Sequence, residues 1–219
     1  ALRTAALDLA TVAGRDRFRS LVADADVVVH GYRPGALAER GLDPAEWHHL
    51  APGLVEVALD AYGWAGPWAD RRGFDSIVQH SVGITHRGAE VAGADRPVAL
   101  PCQALDHGAG WLAGAAAVAG LAERAAGGPG SSWRTSLVAV ARMLCDLGPA
   151  GVPDRPAPTL EAVAARVPGA VVEVPTAWGP LCRLGWPGVV GDHVAGLGAS
   201  GPLGAGEADW SVRSAPMGR

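Results

Sequence analysis

Short apolar runs alternate with amphipathic stretches along this chain, and Gly- or Pro-marked breaks separate them. Residues 1–9 (ALRTAALDL) read as a strand, and Gly14 to Ala25 as an amphipathic helix with Phe18, Leu21 and Val22 on one face. Val27 to His30 is a second strand, and Leu54 to Leu59 a third, alternating enough to be partly exposed. Ala36 to Arg40 and Pro44 to Leu50 are short helices, the latter capped by Asp43 with Pro44 in its first turn. Phe74 to Val82 is another helix, with Asp75 in the first turn, where a carboxylate suits the dipole.

From Asp106 a helix runs to about Ala126, apolar almost all round and therefore expected in the interior. Gly127-Gly128-Pro129-Gly130 ends it, and Ser136 to Leu147 forms a further helix. Gly148 to Pro158 is a Pro/Gly-rich linker of polyproline character. Thr159 to Arg166 is a short helix and Ala170 to Val174 a strand. From Gly185 the periodicity fades, and an irregular segment, frayed from about Ser211, is expected. Strands alternating with helices predict an α/β fold, Rossmann-like, with a mainly parallel sheet and flanking helices. The expected division is a core domain over residues 1–147, the linker over 148–158, and a segment over 159–219 that packs back on the core or on a partner chain.

At 219 residues the chain has the length for one cored domain and a small lobe. A net charge of −4 and the lack of a basic cluster argue against a nucleic-acid surface. All 18 basic residues are Arg, which reads as the usage of a GC-rich bacterial genome. Without Lys there is neither a Schiff-base lysine nor a P-loop lysine. Cys102, Cys145 and Cys182 are far apart and form neither a disulfide framework nor a metal-ligand pair. That usage, with no recognisable signal-peptide pattern, leads to an expected cytoplasmic location. The longest apolar run, Gly108 to Leu121, is too short and too glycine-rich to span a bilayer. No GxGxxG follows a strand, which argues against a Rossmann dehydrogenase.

Three segments carry candidate chemistry. In Ala25 to Leu42 (ADVVVHGYRPGALAERGL) a strand runs into Gly31-Tyr32-Arg33-Pro34-Gly35. Loops leaving the carboxyl ends of strands line the ligand crevice of open α/β sheets. Arg33 is therefore placed to meet an anion such as a nucleotide phosphate. The second segment is Tyr62 to Gln79 (YGWAGPWADRRGFDSIVQ), and the third is Pro101 to Leu121 (PCQALDHGAGWLAGAAAVAGL). In the third, Asp106 stands at the start of a long helix, where an ionised carboxylate is favoured by roughly 0.3–1 kcal/mol. The free amides of Gly108 and Ala109 are candidates to hydrogen-bond an oxyanion. By residue type alone, Asp106 also fits an ordinary N-cap.

Together these segments resemble the class III CoA-transferase family, which includes formyl-CoA transferase, carnitine CoA-transferase and the α-methylacyl-CoA racemases. The resemblance rests on the aromatic-Arg-Pro-Gly loop, the YGxxGP loop with its RxGFD helix start, and the Asp that opens a Gly/Ala-rich helix. It implies an acyl-CoA:carboxylate CoA-transferase of the family's large-domain fold, with Asp106 as the nucleophile. An acyl-aspartyl anhydride and then an aspartyl-CoA thioester would be the intermediates. Arg33 and Tyr32 would contact CoA, and Arg72, Phe74 and Asp75 match the stretch lining its pantetheine and adenine side. Gly108 and Gly110 would let the ligand approach the backbone closely. Coenzyme A and acyl-CoA are substrates in this reading, a carboxylic acid is the acceptor, and no cofactor is bound permanently.

His107 reads as a first-turn polar residue or a proton donor, and Cys102 as core. The racemases use a His where this chain has Phe74, which moves no proton, and His80 is turned well away from that direction. Thioester exchange is thus preferred to racemisation. Family members are longer, so the chain is expected to be incomplete at the amino terminus and to lack most of the small domain. The alternative is a noncatalytic structural half or fragment that needs a second chain. The family's interlocked dimers imply a homodimer or a complementing chain, with the segment carrying Trp178, Trp186 and Trp210 against the partner.

Overall fold

The computed structural model describes residues 3–148, 158–185, 188–194 and 200–210. They fall into two compact units: Asp8–Pro149, and Ala1–Leu7 with Ala150–Arg219. In the first, α1 (Val12–Ala23) is capped by Thr11, whose hydroxyl accepts from Gly14 N. Strand β1 (Val27–His30) follows, then a 3-10 turn (Ala38–Arg40) and α2 (Pro44–Leu50), capped by Asp43. After β2 (Val55–Asp60) come α3 (Asp75–Ser81), α4 (Ile84–Ala92) and the long α5 (Ala104–Ala125). Strand β3 (Ser131–Ser136) runs directly into α6 (Leu137–Leu147), and Ser136 Oγ accepts from Ala139 N to cap it.

The three strands pair in the order β1-β2-β3, all parallel. Parallel strands are joined by crossovers, so both faces of the sheet are covered and the middle strand is buried. Hence Val55 to Ala58 are all buried, where the alternation in sequence had pointed to partial exposure. On one face Val22, Leu37, Leu42, Trp47 and Leu54 pack with Val28; on the other Val55, Val57 and Ala113 pack with Val27 and Trp133. A third cluster closes the carboxyl end of the sheet with Ala61, Val78, Leu105, Ala109, Leu137, Val140 and Ala141. It joins the starts of α5 and α6 to α3.

Several expectations change. Residues 3–9 form no strand; only Ala5 bridges, to Ala205 and Gly206. Strand β3 was hidden in the sequence because its residues are mostly Ser, Thr and Arg, and it borders the sheet with Ser132 and Arg134 exposed. Helix α5 is not interior all round: Leu105, Ala109, Ala113 and Gly120 are buried, but Trp111 is 82% and Val118 67% exposed. Apolar content reports hydrophobicity, not how many neighbours are present to cover it.

The second unit holds α7 (Leu160–Arg166) and an antiparallel hairpin, β4 (Val171–Thr176) with β5 (Gly179–Leu184). A two-residue ladder follows, β6 (Val189–Val190) with β7 (His193–Val194). Arg3 pairs with Asp209 at 3.2 Å. Trp178 and Trp210 are exposed; Trp186, the fraying after Ser211 and residues 149–157 of the linker lie outside the described residues. No helix among the described residues is long and apolar enough to cross a membrane.

Candidate active site

Because the sheet is parallel, the loops after β1 and β2 leave it at one edge. The start of α5 lies at that edge too, since Leu105 packs with Ala61 and Leu137, the residues that follow β2 and β3. This is where open α/β sheets bind ligands.

Asp106 is exposed in the first turn of α5, which begins two residues earlier, at Ala104. Gln103, at the N-cap position, makes no side-chain capping bond. Asp75 does that work from α3. Fully buried at 1% exposure, its Oδ2 accepts from Leu105 N at 2.8 Å and Asp106 N at 3.0 Å. Its Oδ1 accepts from Gln79 Nε2. Gln79 is buried as well; its Oε1 accepts from Leu100 N at 2.9 Å, and its Nε2 also reaches Cys102 O at 3.4 Å. What burial the Asp106 carboxyl has, followed by the Asp75 charge, pushes it above the ordinary carboxylate value; His107 offsets part of this.

The early start of α5 revises the oxyanion proposal. Gly108 and Ala109 lie beyond the first turn, where amides bond within the helix, and the free amides of Leu105 and Asp106 are taken by Asp75. Gly108 is needed for packing: a β-carbon there would stand 2.7 Å from Val140 Cγ1 on α6. Gly110 has nothing within 4 Å. Asp75, expected against the ligand, has no surface to offer one. Cys102, read as core, is exposed.

Other expected residues do face outward. Tyr32 is 52% exposed and Phe74 75%. Arg33 pairs with Glu39 at 2.9 Å, and both side chains are accessible. Gly35, at φ 79°, takes the left-handed turn that ends the Arg33 loop. In the second loop Gly63 N donates to Asp60 Oδ1 at 2.7 Å, and Tyr62 OH hydrogen-bonds Ser81 Oγ at 3.0 Å. Tyr62 also meets the Trp68 ring edge-on at 5.2 Å, and Arg71 lies over Trp68 at 4.6 Å. Arg72 is exposed. Gly73 is a matter of space, since a β-carbon would sit 2.8 Å from Ala61 Cβ. His80 Nδ1 bonds its own helix at Ser76 O, 2.7 Å away, and His107 is exposed beside Asp106.

Two features escaped the sequence reading. Gln79 stands four residues after Asp75, a helix-neighbour spacing at which the pair was legible. Between β1 and β2, His30 Nε2 bonds Glu56 Oε1 at 3.0 Å, with the His30 ring edge-on to Trp47, and chiefly this bond holds the Glu56 carboxyl below its ordinary value. Asp60, buried with Oδ2 unpartnered, is pushed up by burial. No group of His, Cys, Asp and Glu among the described residues is arranged to hold a metal ion.

Known proteins place this geometry in context. The chain is 31% identical over 122 residues to a probable fatty acyl-CoA transferase of Mycobacterium tuberculosis, covering 56% of this chain and 30% of the relative. It is 35% identical over 114 residues to the succinyl-CoA:glutarate CoA-transferase of Mus musculus, covering 51% and 25%. A crystal structure of the same mycobacterial protein superposes with a TM-score of 0.58 at 28% identity, covering 65% of this chain and 40% of that one. A Brucella suis protein of the CAIB/BAIF family shares the fold at TM-score 0.56 over 81% of this chain and 47% of its own. The chain thus spans between a quarter and a third of these two curated relatives. Residues 3–158 match the sequence profile of CoA-transferase family III, and the chain belongs to that family.

Proposed function

We propose that this chain carries the nucleophile of an acyl-CoA:carboxylate CoA-transferase, and that the nucleophile is Asp106. The observation that carries this reading is an exposed carboxylate at the ligand edge of the sheet, raised above its ordinary value and held in the first turn of α5. A relative is named for exchange between a CoA thioester and a carboxylic acid, which is the chemistry such a carboxylate performs.

Asp106 attacks the thioester carbonyl; the C–S bond breaks, CoA leaves as thiolate, and an acyl-aspartyl anhydride remains. The thiolate then attacks the aspartyl carbonyl, releasing the donor acid as carboxylate and leaving aspartyl-CoA thioester. An acceptor carboxylate repeats these two steps in reverse, which regenerates Asp106 and delivers a new acyl-CoA. Arg33, Tyr32 and the exposed Arg72 are assigned to CoA, with the guanidiniums toward phosphate. Phe74, which cannot move a proton, favours exchange over inversion at the α-carbon.

Native mass spectrometry with acyl-CoA tests the proposal. The expected result is a covalent acyl or CoA adduct on the chain that hydroxylamine removes and Asp106→Asn abolishes. An adduct that persists in Asp106→Asn overturns the assignment.

A second reading has its own support: a noncatalytic half that dimerises with or completes another chain carrying the site. Trp111 and Val118 leave an apolar stripe of α5 bare, beside a groove of about 400 Å³ lined by Leu112, Ala116, Ala119 and Trp133. Under this reading the chain forms no adduct of its own, and an adduct appears on the companion chain when the two are mixed.

A further inference from the structure

A helix N-terminus normally lends its free amides and its positive end to the acidic group nearest it. Here the acidic residue of the first turn is Asp106, yet the amides of Leu105 and Asp106 both point into a different carboxylate, the buried Asp75. Asp75 is fixed in turn. Its second oxygen takes the Gln79 amide, and Gln79 spans the chain before α5 by accepting from Leu100 N and donating toward Cys102 O. A buried charge persists only when its oxygens are satisfied, and those of Asp75 accept three hydrogen bonds.

We propose that Asp75 and Gln79 are positioning residues for Asp106. The pair clamps the first turn of α5, and by filling its free amides with an anion it withholds from Asp106 the stabilisation that would quench its carboxylate. This rests on the reading of Asp106 as nucleophile. The carboxylate so treated is held in place by its own backbone amide, but it keeps its electron density for the thioester carbonyl. The direction of the Asp106 shift agrees with this. Among the charged groups near it, Asp75 faces it from α3 and His107 adjoins it on α5. The residues packed on this end of the helix from the loop after β2 and from α6, namely Ala61, Leu137, Val140 and Ala141, carry no charge.

The experiment uses the full chain and two variants. Asp75→Ala removes the acceptor; the first turn is then unanchored, and acyl transfer to Asp106 is expected to fall about a hundredfold, the cost of a roughly 1 Å misplacement. Because that variant also exposes the fold to failure, the double variant Asp75→Asn with Gln79→Glu is the decisive one. Its introduced amide oxygen still accepts from Leu105 and Asp106, and the introduced carboxylate still accepts from Leu100, so every hydrogen bond of the clamp survives except the long one from Gln79 to Cys102 O, while the charge moves away from Asp106. With wild-type circular dichroism, its Asp106 carboxyl, followed by 13C NMR and assigned by Asp106→Asn, is expected to titrate at lower pH than in the wild type. The rate of adduct formation is expected to fall with little change in KM. An Asp106 titration unmoved in the folded double variant overturns the proposal. If the wild type forms no Asp106 adduct, the transferase reading falls, while the carboxyl titration still decides whether the clamp sets the Asp106 charge.

Discussion

The backbone amide of Asp106 donates to Asp75 Oδ2 at 3.0 Å, joining residues 31 positions apart. The cap of α5 thus comes from the start of α3 and not from the residue before the helix, Gln103, which caps nothing. The candidate nucleophile and the RxGFD helix start are one structural unit. Whatever loosens the loop between Asp60 and Asp75 loosens the turn that holds Asp106.

Gly108 and Gly110 lie two positions apart yet have different surroundings. Gly108→Ala drives a methyl toward Val140 and is expected to destabilise by about 1–3 kcal/mol, the usual cost of overpacking. Gly110→Ala meets open space and is expected to stabilise, by up to about 1 kcal/mol from helix propensity. Chemical denaturation of the two variants checks the sign of each. Equal destabilisation by both would mean that Gly110 faces a ligand or partner.

Glu56 and His30 form a buried pair, with the His30 ring edge-on to Trp47. Because the folded Glu56 carboxyl is lowered, its contribution to stability is present above the unfolded value and is lost as pH falls through the folded one. Glu56→Gln is expected to cost about 1–3 kcal/mol at neutral pH. The gap from the wild type narrows in acid. Urea midpoints across pH test this, and a gap that widens in acid would refute the pairing.

Asp60 has the opposite sign. Its carboxyl is raised by burial, so its contribution is fully present below the unfolded value and lost as pH rises through the folded one. Asp60→Asn keeps the acceptor for Gly63 N and removes the charge. It is expected to match or exceed wild-type stability at neutral pH, measured by thermal melting. A marked loss there would show that the unpartnered Oδ2 meets a cation.

Arg33 and Glu39 form an accessible ion pair, of a kind worth at most about 1 kcal/mol. Arg33→Gln is therefore expected to leave the melting temperature nearly unchanged. Its CoA affinity should fall about tenfold or more, the scale of one lost hydrogen bond to a charged group. Calorimetric titration of CoA into both proteins checks this; unchanged affinity would remove Arg33 from the site.

Local signals sufficed for much of the first unit. Asp43 caps α2 as expected, Val27 to His30 forms a strand, and Gly127-Gly128-Pro129-Gly130 ends α5, whereas the Thr11 cap starts α1 two residues ahead of the expected Gly14. The three chemistry-bearing segments were likewise readable, because an aromatic-Arg-Pro-Gly loop or a YGxxGP loop is a short-range pattern. Folding assigned the rest. Strand β3 holds its place through pairing with β2, although its own residues are poor strand signals. Asp75 and Gly108 both looked ligand-facing, and only the packing of α3 and α6 on α5 turned one into a buried cap and the other into a contact point for Val140. Burial and hydrogen-bond partners belong to residues distant in sequence, and no local pattern records them.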